Sequence, residues 1–175
     1  MLLTGARTIF LPHRIEKWQR GAEGERLTAR ALKPLESAGW TIRHDLAGQY
    51  GNIDHLVVGT SGVFLLETKN WAGCVRVADG KVIIVSPEDP TDEWTMDVGS
   101  RVRGAAFGTS EAIKSLVGRG AWVQSVVVIW GRFDQGLIED SRVVYLHGDR
   151  LQNWLTSQRD RISPADVNAI VARLG

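Results

Sequence analysis

The feature that most constrains the fold is the stretch NIDHLVVGTSGVFLLETKNWAG, residues 52–73. Two apolar segments rich in β-branched residues flank the turn sequence GTSG, a pattern typical of a β-hairpin. Yet Asp54, Glu67 and Lys69 lie inside the predicted strands rather than at the turn. Charges in a buried sheet are costly unless they are paired, hydrogen-bonded or bound to a metal. The sequence therefore predicts a buried hairpin whose charges serve a specific purpose.

The length of the turn decides whether these charges meet. Side chains alternate between the faces of a strand, so Glu67 and Lys69 share a face. A turn of two or four residues sets Asp54 directly across from Glu67, with Cβ atoms ~5 Å apart. A turn of three or five residues would shift the register by one residue and lose this pairing.

In the favoured register, the charged residues of the hairpin form a candidate catalytic site. Two adjacent carboxylates repel each other, which raises the pKa of one of them unless a divalent cation lies between them. Lys69 lies ~7 Å beyond Glu67 on the same face and can reach the rim of such a site. This set suits metal-assisted phosphodiester hydrolysis. The alternative is structural: Glu67 and Lys69 could form a surface ion pair, and Asp54 could cap the preceding loop.

Composition sets wider bounds. The chain has 175 residues, which fits one domain, and we expect an N-terminal arm over 1–20 and a single domain over 21–175. A net charge of +1 excludes a strongly basic, histone-like protein but not an enzyme with a local positive groove. The single cysteine, Cys74, excludes an intramolecular disulfide. We find no signal peptide and no membrane-spanning segment, so the sequence predicts a cytoplasmic protein without a membrane partner.

Hydrophobic periodicity gives the order of the elements. Helices are predicted over 21–38 and 98–117, from about 149, and from Pro164 onwards. Strands are predicted over 40–44, 53–58, 63–69, 74–77, 81–85, 122–130 and 142–146, with polar loops over 45–51 and 86–94. This order favours an α/β (α+β) domain with one mixed sheet and helices packed on it.

The first predicted helix carries two finer expectations. Its apolar stripe is expected at Leu27, Ala31, Leu35 and Ala38. Pro34 is expected to kink or end it, and Gly39 to follow its end.

Three segments together resemble a known family. GAEGE at 21–25, NIDHLVVG at 52–59 and SGVFLLETKNWAG at 61–73 are similar to the NERD (nuclease-related) domain, placed among the PD-(D/E)xK nucleases. The resemblance implies a restriction-endonuclease-like fold, in which a mixed β-sheet is flanked by helices. It also implies a nuclease that depends on Mg²⁺ or Mn²⁺.

The resemblance assigns roles to individual residues. It implies that Asp54 and Glu67 bind the metal and act in catalysis, that Lys69 is the catalytic lysine, and that Glu25 assists metal binding. A solvated helix charge is the alternative for Glu25. Ile53 stands where the superfamily has proline, and the second core helix lacks the glutamine common in related nucleases.

The function predicted is hydrolysis of DNA phosphodiester bonds in DNA processing or repair. The carbonyl of Thr68 is a further candidate metal ligand, and Asn70, Arg101 and Arg103 are candidates for nucleic-acid binding. RNA is an alternative substrate. A non-catalytic nucleic-acid-binding or assembly module that retains the nuclease fold is the alternative function. A homodimer would suit an enzyme that cuts two strands, although no residue indicates one.

Overall fold

A computed structural model of the protein describes residues 10–48, 51–118 and 121–173. It confirms a mixed α/β architecture in which helices flank the sheets. The helices are α1 (Phe10–Ser37), α2 (Val98–Val117), α3 (Leu151–Thr156) and α4 (Pro164–Val171). The strands are β1 (Thr41–Gly48), β2 (Gly51–Gly59), β3 (Gly62–Lys69), β4 (Cys74–Ala78), β5 (Lys81–Val85), β6 (Glu93–Met96), β7 (Val123–Ile129), β8 (Arg132–Phe133), β9 (Leu137–Asp140) and β10 (Val143–His147).

The main sheet has six strands in the order β1-β2-β3-β7-β10-β9. Strand β7 pairs in parallel with both β3 and β10, whereas the outer pairs are antiparallel, so the sheet is mixed. The run from Val126 to Ile129 is fully buried, because both faces of this central strand are covered by side chains. Helix α2 packs with Leu65 on one face, and α1 packs with Leu66 on the other.

The strands divide between two sheets, whereas the sequence predicted one. A smaller sheet has the order β6-β5-β4-β8, and it too is mixed because β4 and β8 are parallel. Its hairpin β4–β5 turns at Asp79 and Gly80, which have φ values of 51° and 73°, as a tight two-residue hairpin turn requires. The predicted loop over 86–94 ends in β6, and the short strands β8 and β9 were not predicted.

Helix α1 differs most from its prediction. Its described part begins at Phe10, so the helix passes residue 21 without interruption, and residues 1–9 of the predicted arm lie outside the described residues. Pro34 does not end the helix, which continues to Ser37. The exposed proline lies within the last turn. It removes one backbone hydrogen bond there, which affects only the end of the helix.

Gly39 follows the end of α1 as predicted. It has a φ of 86°, and the N–H of Trp40 donates to the carbonyl of Leu35, which closes a Schellman motif. The predicted apolar stripe is confirmed at Leu35 and wrong at its other positions, because the other buried residues over 19–37 are Gly24, Thr28 and Leu32. Ala38 is exposed.

The central hairpin has the predicted register. His55 pairs with Leu66 and Gly59 with Gly62, so Thr60 and Ser61 form a two-residue turn. The predicted loop over 45–51 is mostly strand, since β1 continues to Gly48 and the connection at residues 49–50 lies outside the described part of the chain. Among the described helices, none is long and apolar enough to cross a membrane.

Candidate active site

The β2–β3 ladder stops where the charged residues begin. Its last backbone pair is His55 with Leu66, and beyond it the amide N–H of Thr68 donates to Oδ2 of Asp54 at 2.7 Å. A side chain thus replaces the backbone carbonyl as the acceptor. The hairpin opens at this point while Asp54 is held beside β3.

Asp54 and Glu67 face the same side of the sheet, towards the start of α2. They line one open cavity of about 250 Å³ between β3 and that helix. Its walls are Asn52, Asp54, Leu65, Glu67, Arg101, Val102 and Ala105. The sequence predicted this shared face, since it follows from the two-residue turn.

The two carboxylates are coupled electrostatically. Burial and then the negative charge of Glu67 raise the pKa of Asp54 from 3.8 to about 6. The N–H of Thr68 and the charge of Lys69 act in the opposite direction, and Glu25 adds a smaller upward contribution to this pKa. An elevated carboxyl pKa in a cavity is typical of functional sites.

Two cationic side chains contact Glu67. Nζ of Lys69 donates to Oε1 of Glu67 at 2.5 Å and to the carbonyl of Thr68 at 3.1 Å. Arg101, from the first turn of α2, donates to the same Oε1 through Nη2. The Glu67 side chain is 10% exposed, Lys69 is 23% exposed and Arg101 is 55% exposed. The cluster therefore pairs a nearly buried carboxylate with one sheltered and one accessible cation.

The other side of β3 is anchored to α1. The hydroxyl of Thr68 donates to the buried hydroxyl of Thr28 at 3.0 Å, and the indole N–H of Trp130 donates to the same oxygen at 2.7 Å. Thr28 in turn donates to the carbonyl of Gly24 at 3.1 Å. Gly24 lies so close to the strand that a Cβ there would be 3.0 Å from Cβ of Asn70. This network fixes the end of β3 that carries Lys69.

Glu25 follows Gly24 on α1, which covers the face of β3 opposite to Glu67. Its side chain is exposed, and its charge still contributes to the pKa of Asp54. Within the described residues, no three His, Cys, Asp or Glu side chains lie close enough together to hold one metal ion. The described structure therefore does not assemble Glu25, Asp54 and Glu67 into a three-carboxylate cluster.

The donors present nevertheless suit a hard divalent cation. Burial, and after it the charge of Glu67, raise the pKa of Asp54, and a cation between the two carboxylates would remove their mutual repulsion. The Thr68 carbonyl, which accepts from Lys69, adds a neutral oxygen at the same strand end. Carboxylate and carbonyl oxygens are the ligands that Mg²⁺ and Mn²⁺ prefer.

The remaining predicted residues are placed differently from one another. Asn70 donates through Nδ2 to the carbonyl of Arg20 at 3.2 Å and so ties β3 to α1. Arg103 donates to the carbonyl of Ser141 and to the hydroxyl of Ser100, away from the carboxylates. Of the three candidates for nucleic-acid binding, the structure brings Arg101 alone to the carboxylate pair.

Sequence reasoning missed two relationships at the site. Thr28 was not singled out, although a threonine four residues after Gly24 and four before Leu32 lies on one helix face with them. The ion pair between Arg101 and Glu67 gave no local signal, since the two residues are 34 positions apart.

Comparison with known proteins identifies the family. An uncharacterised protein of Bacillus anthracis is 36% identical over 66 residues, which make up 35% of this chain and 31% of that relative. The match thus spans about a third of the relative's length. No solved structure matches the chain. The model of the nuclease-related domain matches residues 20–130, which include every residue placed at the carboxylate cluster, and the chain therefore belongs to the NERD (nuclease-related domain) family.

Proposed function

We propose that this protein is a metal-dependent nuclease that hydrolyses phosphodiester bonds in DNA. The single observation that carries the proposal is the pairing of Asp54 and Glu67 in one open cavity, with Lys69 bonded to Glu67. Membership of a nuclease-related family supports the same chemistry.

Each side chain has a defined task in this proposal. Asp54 and Glu67 would hold Mg²⁺ or Mn²⁺, with the carbonyl of Thr68 as a further ligand and Glu25 assisting through its charge. When bound, such a cation polarises the phosphate and acidifies a water molecule. Lys69 would hold the attacking water or neutralise the charge that develops on the phosphate.

Cations outside the cavity support a nucleic-acid substrate. Arg26, Arg30 and Lys33 are exposed on α1 at spacings of four and three, so they lie on one face of the helix. The row begins at Arg26, two residues after Gly24, which packs on the end of β3. A row of cations that leads away from the site would bind the phosphate backbone through charge alone.

The test is cleavage of duplex, single-stranded and branched DNA with Mg²⁺, with Mn²⁺ and with a chelator. Wild type should cut in the presence of metal, and both Glu67→Ala and Lys69→Ala should lose activity. Cleavage by these two variants at the wild-type rate would overturn the assignment. Parallel assays with RNA decide between the two nucleic acids.

One observation favours a second candidate, a nucleic-acid-binding or assembly module without turnover. The negative charge of Glu67 is already balanced by its ion pairs with Lys69 and Arg101. A purely structural ion-pair network would show the same arrangement. This candidate predicts salt-sensitive DNA binding without cleavage. It also predicts that calorimetric titration with Mn²⁺ gives no binding heat for wild type or for Asp54→Asn.

A further inference from the structure

We infer that Arg101 is the receptor for the substrate phosphate, and that it exchanges its ion pair with Glu67 for that phosphate when a divalent cation binds. The inference deepens the proposed function and rests on it. The observation behind it is that Arg101 and Lys69 donate to the same oxygen, Oε1 of Glu67.

Charge balance at the cluster explains why one of these contacts must change. Asp54 and Glu67 carry two negative charges when ionised, and Lys69 and Arg101 carry two positive charges, so the four groups sum to zero. A divalent cation at the carboxylates would leave a surplus of two positive charges in a partly buried cavity. The divalent cation would repel the two side-chain cations that contact Glu67, so one of them is expected to withdraw from Glu67.

The structure distinguishes which cation withdraws. Lys69 is 23% exposed and is held by two acceptors, Glu67 and the carbonyl of Thr68. Arg101 is 55% exposed and lines the cavity. The accessible, less restrained Arg101 is therefore the cation that moves.

Arg101 is also well placed to receive a phosphate. Its bond to Glu67 uses Nη2, whereas a guanidinium has five N–H donors in a fork that matches a phosphate. Arg103, two residues further along α2, is bonded to the carbonyl of Ser141 and the hydroxyl of Ser100. Of these two arginines, Arg101 alone is directed at the carboxylates.

The exchange has a counterintuitive consequence for metal binding. A cation that competes for Glu67 weakens divalent-ion binding in the absence of substrate, so Arg101→Gln should bind Mn²⁺ more tightly than wild type. Because the guanidinium is more than half exposed, we expect a gain of about two- to fivefold in affinity. This gain reports the competition for Glu67, and the phosphate contact is tested separately.

The experiment is calorimetric titration of the full chain with Mn²⁺ alone, without DNA. Arg159→Gln is the matched control, since it removes the same group from an exposed site after α3, beside the β2–β3 turn at the far end of β3. We expect tighter Mn²⁺ binding by Arg101→Gln and unchanged binding by Arg159→Gln. Equal or weaker binding by Arg101→Gln would overturn the exchange.

A second measurement tests the phosphate contact. Fluorescence anisotropy is measured with a labelled, hydrolysis-resistant DNA duplex, so that no cleavage occurs and Lys69 stays in place. With Mn²⁺ present, Arg101→Gln should weaken binding and make the plot of log affinity against log salt shallower by about 0.9. An unchanged affinity and salt dependence would contradict the contact.

The result also separates this inference from the proposed function. If wild type binds Mn²⁺ and cuts DNA while Arg101→Gln changes neither measurement, the exchange alone is overturned. If wild type neither binds Mn²⁺ nor cuts DNA, the proposed function fails, and the inference that rests on it fails as well.

Discussion

The hydroxyl groups of Thr28 and Thr68 are joined by a 3.0 Å hydrogen bond between α1 and the strand that carries Lys69. Both side chains are buried, at 0% and 6% exposure, so water does not compete for this bond. The Thr28 oxygen also accepts from the indole of Trp130, which follows the central strand. One threonine therefore connects a helix to two neighbouring parallel strands at the edge where the site lies.

Thr28→Val keeps the shape of the side chain and removes its hydroxyl. The variant should lose about 1–3 kcal/mol of unfolding free energy, because it leaves a buried group of Thr68 and a partly buried group of Trp130 without their partner. Thr28→Ser keeps the hydroxyl and should retain most of the stability. Urea denaturation measures both variants, and a loss of stability in Thr28→Ser with none in Thr28→Val would show that packing of the methyl group, not the hydroxyl, matters at this position.

Asp54→Asn should separate activity from stability. Metal-dependent cleavage should be lost, whereas the metal-free variant should melt at a higher temperature than wild type at pH 7.5. The raised pKa of about 6 means that the folded state binds a proton more tightly than the unfolded state. That stabilising contribution is present below pH 3.8 and is lost as the pH rises through about 6. The amide side chain of the Asp54→Asn variant stays neutral, so the variant does not lose stability over this range.

Asp140→Asn provides the control of opposite sign. The N–H of Gly80 and the hydroxyl of Ser141 lower the pKa of Asp140, so its ionised form is favoured in the folded state. Its replacement should lower the melting temperature at pH 7.5. If both variants were destabilised, the elevated pKa of Asp54 would not represent a cost to the folded state.

The hairpin was predictable because its determinants are local. The two-residue turn and the alternation of faces set Asp54 and Glu67 on one side, and they depend only on nearby sequence. Helix α2 was likewise predicted with its observed bounds, Val98–Val117. Its buried apolar residues recur at helical spacings of four, four and seven, at Val98, Val102, Ala106 and Ile113.

Other features depend on contacts that no local pattern encodes. The buried face of α1 includes Gly24 and Thr28, a small and a polar residue, because the helix approaches β3 closely and bonds to it there. The prediction, which considered only apolar residues, therefore identified a neighbouring face of the helix as the buried one. The β4–β5 hairpin was predicted, but its membership of a second sheet depends on its pairing with β6 and β8. The ion pair of Arg101 depends on how α2 docks onto β3.

Lys69→Met should lower the rate of DNA cleavage by about 10²–10⁴-fold at saturating Mn²⁺, as expected when a group that positions the nucleophile is lost. Mn²⁺ binding should persist, since the ammonium is not a ligand in the proposal. Lys69→Arg should not restore the rate, because a planar guanidinium cannot take the place of a compact ammonium in this sheltered position. Single-turnover kinetics measure the rates, and a rate of DNA cleavage by Lys69→Met close to that of wild type would contradict the assigned role.

The cation row on α1 should contribute to DNA affinity and not to chemistry. The double variant Arg30→Gln with Lys33→Gln should make the slope of log affinity against log salt shallower by about 1.8 for a duplex. The control double variant, Lys114→Gln with Arg159→Gln, removes the same charge from exposed positions elsewhere. Equal effects of the two double variants would indicate that net charge, not the α1 row, attracts DNA.

A buried histidine, His55, in contact with the exposed His44 should give the protein an acid-sensitive stability. Nδ1 of His55 lies 2.7 Å from Nδ1 of His44, and burial followed by the charge of His44 lowers the pKa of His55 from 6.5 to about 4. The unfolded state therefore binds a proton that the folded state excludes, so stability is complete above pH 6.5 and falls towards pH 4, by at most about 1.4 kcal/mol per pH unit. Urea denaturation across this range should show a flatter dependence for His55→Gln, whereas His147→Gln should keep the wild-type dependence. An unaltered dependence in His55→Gln would assign the acid sensitivity to other groups.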